Sequence, residues 1–109
     1  MMQRLTETLA RLNATIQTRR GADPSSSYTA RLLAEGPERA AKKFGEEAIE
    51  TVVAAIQGDA DALAAESADL LYHWLVLLAA SGVDPDAVAA KLDAREGRSG
   101  LDEKAARPK

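Results

Sequence analysis

Apolar residues recur along this chain at intervals of three and four, and no stretch alternates with a period of two. Leu5, Leu9, Leu12 and Ile16 predict a first helix over residues 2–20, which Gly21 can stop. Asp23-Pro24-Ser25-Ser26-Ser27 has the composition of a loop, and Ser27 is placed to cap a short helix over residues 28–34. Gly36-Pro37 is the next boundary, with the proline where a first helical turn tolerates it. A second long helix then runs to about Gln57, ahead of Gly58. Asp59 or Asp61 can cap a third, reaching Ala80 before Gly82. Asp84-Pro85 opens a last helix that ends near Gly97, and residues 98–109 form a polar tail with one large hydrophobe, Leu101. The expectation is a single all-α domain over residues 1–109. Its short loops favour antiparallel helical hairpins packed as a bundle.

The two long central helices are patterned differently. At about 100° per residue, Ala41, Phe44, Ala48, Ile49, Val52, Val53 and Ile56 fill one half of the second, and Lys43, Glu46, Glu47 and Glu50 fall opposite. Taken alone, that is an amphipathic helix with a solvated charged face, and Lys42–Glu46 and Lys43–Glu47 have the spacing of surface ion pairs. The third helix has no ordinary solvent face. Leu70, Leu71, Tyr72, Trp74, Leu75, Val76, Leu77 and Leu78 surround it, and its polar residues Glu66, Asp69 and His73 collapse onto one narrow stripe. A helix apolar all round is buried by its own chain or by a partner. Three long helices cannot easily cover every side of it, so a second copy is expected to complete the bundle as a homodimer.

Composition narrows the chemistry. The chain has 109 residues, 46% hydrophobic and 28% charged, with a formal net charge of −3 that argues against a nucleic-acid footprint. There is no cysteine, hence no disulfide framework, thiol nucleophile or thiolate metal site. Arg4, Glu7 and Arg11 interrupt the start where a signal peptide would be apolar, and the apolar run 70–80 is too short to span a bilayer. No membrane role is expected, and a cytoplasmic location is.

The carboxylates carry the functional signal. Glu47 and Glu50, and Glu66 and Asp69, are each three residues apart, so each pair shares one helical face. Carboxylates on a buried helix need compensation. If the two pairs face each other they repel, and the natural partner is a hard cation with oxygen ligands, Mg²⁺, which in turn suggests phosphate chemistry. His73 lies one turn beyond Asp69. Its nitrogen suits Mg²⁺ poorly, so a structural or supporting role is expected for it.

Several segments resemble the phosphoribosyl-ATP pyrophosphatase family, within the all-α nucleotide pyrophosphohydrolases. They are Ser27-Tyr28-Thr29-Ala30-Arg31-Leu32-Leu33, Gly36-Pro37-Glu38-Arg39, Lys42 to Glu50, Glu66 to His73, and Arg98-Ser99-Gly100-Leu101-Asp102-Glu103-Lys104. The resemblance covers nearly the whole chain and no departure from the motifs is found. It implies Mg²⁺-dependent hydrolysis of phosphoribosyl-ATP at the α–β phosphoanhydride, giving phosphoribosyl-AMP and pyrophosphate, the second step of histidine biosynthesis. It also implies that Glu47, Glu50, Glu66 and Asp69 bind metal, with Glu46 orienting a ligand or the attacking water, and that the sites are built in dimers or larger assemblies. Phosphate charge needs fixed cations, for which Lys42, Lys43, Arg95, Arg98 and Lys104 are the candidates. Ser27 and Thr29 are expected to cap the short helix or meet substrate hydroxyls, and Tyr28 and Trp74 to be core or interface aromatics. The competing readings are a general nucleotide pyrophosphohydrolase using the same carboxylates on another base, and a non-catalytic dimerising helical module.

Overall fold

A computed structural model describes residues 2–96 and shows five helices. They are α1 (Gln3–Thr18), α2 (Tyr28–Glu35), α3 (Pro37–Gln57), α4 (Ala60–Ser81) and α5 (Pro85–Ala94). The all-α expectation holds among the described residues. The local reasons are those the sequence offers. The Ser27 hydroxyl accepts from the Ala30 amide to cap α2, Asp59 accepts from the Ala62 amide to cap α4, and Asp84 accepts from the Asp86 amide to cap α5. Pro37 and Pro85 occupy the first turns of α3 and α5. Gly58 and Gly82 close α3 and α4 in the left-handed region, at φ 74° and 71°, where a side chain would be strained. Helix α5 ends at Ala94 rather than near Gly97, and α1 spans residues 3–18 rather than 2–20.

Helices α3 and α4, joined by the tight turn at Gly58-Asp59, pack against each other as the main hairpin. Helices α1 and α2 lie against the later half of α4. The core sits there: Ile16 of α1, Leu32 of α2, Ala40 of α3, and Leu75, Val76 and Ala79 of α4. Ile16, Leu32 and Val76 are its largest fully buried side chains. Two polar ties fix this end. The Arg20 guanidinium donates to the Ala79 carbonyl at 2.9 Å, where the last turn of α4 has carbonyls to satisfy. Thr29 of α2 and Tyr72 of α4 hydrogen-bond through their hydroxyls.

By length and composition α4 is apolar enough to cross a membrane, but its later half is the core of the domain. Its earlier half carries Glu66 and Asp69 instead. Helix α5 contributes no buried residue and flanks a groove lined by Leu9, Trp74, Val88 and Leu92. Trp74 itself is half-buried against the core, as expected of a core aromatic.

The orientation of α3 is the main departure from its pattern read alone. Its buried residues are the small Ala40 and Ala54, on which α4 can approach closely. Phe44 is half-buried, but the other large apolar residues of α3 face outward: Ile49 is 67% exposed, Val52 56%, Val53 46% and Ile56 81%. Glu47, assigned by the wheel to the charged side opposite them, is half-buried. At Glu47 that side of α3 turns toward α4, while Glu46 and Glu50 remain exposed.

Candidate active site

Three carboxylates converge between α3 and α4. One oxygen each from Glu47, Glu66 and Asp69 lies within 4.8 Å of the other two. Helical spacing supplies one pair of them, since Glu66 and Asp69 are three residues apart on α4. The hairpin supplies the rest, because the half of α3 holding Glu47 lies alongside that stretch of α4. Glu50 is more exposed and is not the third vertex. Its carboxyl nevertheless reaches both Glu47 and Glu66 and raises the pKa of each. Three of the four carboxylates singled out by spacing therefore converge, with Glu50 against two of them.

Thr51 helps to hold the place together. Its hydroxyl lies 2.8 Å from the Glu47 carbonyl and 3.2 Å from the Glu66 carbonyl, so a single donor bridges the two turns that bear the acids. Sequence reasoning missed Thr51. The available signal was a hydroxyl one turn after Glu47, a spacing that back-bonding threonines show anywhere on a helix.

Burial and mutual repulsion raise the proton affinity of Glu47 and Glu66. Burial lifts Glu47 above the ordinary carboxylate value first of all, then the adjoining Glu50 carboxyl and the charges of Glu50 and Asp69; His73 opposes the rise. Glu66 is lifted in the same way, by desolvation, then by Glu50, then by the charges of Glu50, Glu47 and Asp69. One Glu47 oxygen, Oε2, is buried without a hydrogen-bond partner among the described residues. Crowded acids with raised proton affinity fit a divalent cation with oxygen ligands.

Other expected site residues lie around this cluster or away from it. The Glu46 carboxylate is turned outward, 3.3 Å from the Lys43 ammonium, an i, i+3 pair beside the acids. Lys42 is exposed on α3. Arg95 follows α5, and Arg98 and Lys104 fall outside the described residues. Ser27 is a cap, and Thr29 is engaged by Tyr72. Tyr28 is 44% exposed and carries the Arg31 guanidinium over its ring at 5.4 Å. His73 is buried beside Asp69, whose carbonyl lies 2.9 Å from its Nδ1.

The sequence profile described as "Phosphoribosyl-ATP pyrophosphohydrolase" matches residues 9–96, which include α2, α3 and α4 entire. The chain belongs to the phosphoribosyl-ATP pyrophosphohydrolase family. It is 68% identical over 107 residues to a phosphoribosyl-ATP pyrophosphatase of Caulobacter vibrioides (strain NA1000 / CB15N), covering 98% of this chain and 99% of that one. It is 63% identical over 99 residues to one of Parvibaculum lavamentivorans, covering 91% of each chain. A Ruegeria pomeroyi relative of the same name is 60% identical over 98 residues, which is 90% of this chain and 93% of that one. The chain is therefore a phosphoanhydride hydrolase by family.

Proposed function

We propose that this protein hydrolyses phosphoribosyl-ATP between the α- and β-phosphates, releasing phosphoribosyl-AMP and pyrophosphate as a cytoplasmic step of histidine biosynthesis. The observation that carries the proposal is the convergence of Glu47, Glu66 and Asp69, with Glu50 against them, in a chain matched end to end by phosphoribosyl-ATP pyrophosphatases. Glu47, Glu50, Glu66 and Asp69 would hold Mg²⁺. The ion would supply charge neutralisation of the phosphate oxygens and a lowered pKa for the water that loses its proton and attacks.

The chain's own residues do the remaining work. Glu47 and Glu66, raised in pKa by burial and by one another, keep high affinity for a positive partner and so draw the substrate's counter-charge into the hairpin. Thr51 keeps the Glu47 and Glu66 turns at fixed separation, so the carboxylates need not reorganise during the reaction. Lys43 stands one turn from Glu47, with Glu46 holding its ammonium on that flank, where it can meet the departing pyrophosphate. Lys42, Arg95, Arg98 and Lys104 are the further cations proposed for the phosphates. Glu46 takes part through Lys43 or through the attacking water.

The same proposal includes a homodimer. The stripe Ile49, Val52, Val53 and Ile56 is apolar, continuous at helical spacing and exposed on α3, opposite the acids. A second copy laid on this stripe across a two-fold axis buries it and leaves the acidic face of each hairpin open to substrate.

The deciding experiment is pyrophosphate release from phosphoribosyl-ATP with Mg²⁺, for the wild type, Glu47→Gln and Asp69→Asn. The expected result is a fast wild type and two folded, inactive variants. A wild type that leaves phosphoribosyl-ATP intact but cleaves other nucleoside triphosphates would replace the substrate with a general one. An intact protein that hydrolyses none of them would leave a dimerising helical module.

A further inference from the structure

The chain has a single histidine, His73, which is 7% exposed. Its Nδ1 lies 2.9 Å from the Asp69 carbonyl oxygen. A carbonyl only accepts, so Nδ1 carries the proton, and in the neutral ring the lone pair resides on Nε2. That Nε2 is buried without a hydrogen-bond partner among the described residues. Tyrosine rings stand edge-on to the imidazole, Tyr72 at 4.9 Å and Tyr28 at 6.3 Å between centroids, and the Tyr72 hydroxyl is already engaged by Thr29. Asp69 in turn has a carboxylate oxygen within 4.8 Å of one of Glu47, and the imidazole acts electrostatically on Glu47. The Glu47 Oε2 is the other buried atom of this site without a partner.

Two buried acceptors cannot bond to each other, and both being left bare is costly. A water molecule has two hydrogens and satisfies both at once. We propose that His73 is a positioning residue for Glu47: one buried water donates to His73 Nε2 and to Glu47 Oε2, fixing the Glu47 carboxylate toward Glu66 and Asp69. Its Nδ1–H meanwhile pins the turn of α4 that bears Asp69. One ring thus orients a ligand on each helix of the hairpin. The functional part of this inference rests on Glu47 being a metal ligand; the tautomer and the link to Glu47 do not.

Because the histidine is unique, long-range ¹H–¹⁵N spectra of the imidazole read it directly in the wild type. The expected spectrum is the Nδ1–H tautomer, with an Nε2 resonance that moves in Glu47→Gln. A ring protonated at Nε2, whether neutral or as the imidazolium, or an Nε2 resonance indifferent to Glu47→Gln, would overturn the link. Calorimetric titration with Mg²⁺ alone then tests the consequence. His73→Asn keeps an amide near Nδ1 and loses Nε2, and is expected to weaken Mg²⁺ binding about tenfold or more. His73→Gln places an amide near Nε2 and is expected to recover most of that loss. Equal affinities in the two folded variants would overturn the positioning role. If either variant fails to fold, the wild-type spectra decide. A wild type with the expected spectra but no Mg²⁺ binding supports the His73–Glu47 link and sinks the metal reading instead.

Discussion

Replacing Ile49 by alanine should weaken the proposed dimer without harming the fold. Ile49 begins the outward stripe of α3 and is 67% exposed in the single chain. Truncation to alanine removes three carbons, worth about 2.4 kcal/mol when wholly buried at ~0.8 kcal/mol each. Only the part still exposed in the monomer can be gained at an interface, so about two-thirds of that, roughly 1.6 kcal/mol, belongs to association. Across a two-fold axis the change occurs twice, about 3 kcal/mol per dimer, which weakens the dimer dissociation constant roughly 200-fold. The monomer should be unharmed, because alanine has the better helix propensity. Sedimentation equilibrium over a concentration series measures the dissociation constant, and circular dichroism melts at low concentration measure the monomer. A change under about threefold, or a wild type that is a folded monomer at micromolar concentration, would refute the assignment of this face.

Three further outcomes can be checked separately. Glu47 and Glu66 have pKa values raised above the ordinary 4.5 by burial and by their acidic neighbours, so between that value and the raised one the folded chain holds more protons than the unfolded. Stability from this source is full below about pH 4.5 and is lost as pH rises through the folded pKa; the metal-free wild type should lose melting temperature from pH 5 to 8 relative to Glu47→Gln, and Mg²⁺ should protect the wild type selectively. Thr51→Val keeps the shape but removes the donor shared by the Glu47 and Glu66 carbonyls; it should cost about 1 kcal/mol in chemical denaturation and lower kcat. Gly45 sits inside α3 with nothing within 4 Å of the position of a β-carbon, so Gly45→Ala should raise stability by about 0.5–1 kcal/mol, and a destabilised variant would show that the space is not free.

Much of this protein is determined within its sequence. The helix boundaries follow from Ser27, Pro37, Asp59, Gly58, Gly82 and Asp84 because caps, prolines and left-handed glycines act over a single turn. The pairing of Glu66 with Asp69 follows from helical spacing alone, and the family motifs are legible for the same reason: they are local strings. What the spacing left open is which side of α3 meets α4. Periodicity shows that a helix has two faces and says nothing of whether the apolar one is covered by its own chain or by a partner. The tertiary structure decided this by packing α4 against the small residues Ala40 and Ala54, which turned Glu47 inward and left Ile49 and Ile56 outside. The same packing created the Thr51 bridge between the acidic turns and the buried setting of the His73 Nε2 and Glu47 Oε2. These features join residues on different helices, and their energy exists only once the hairpin has closed.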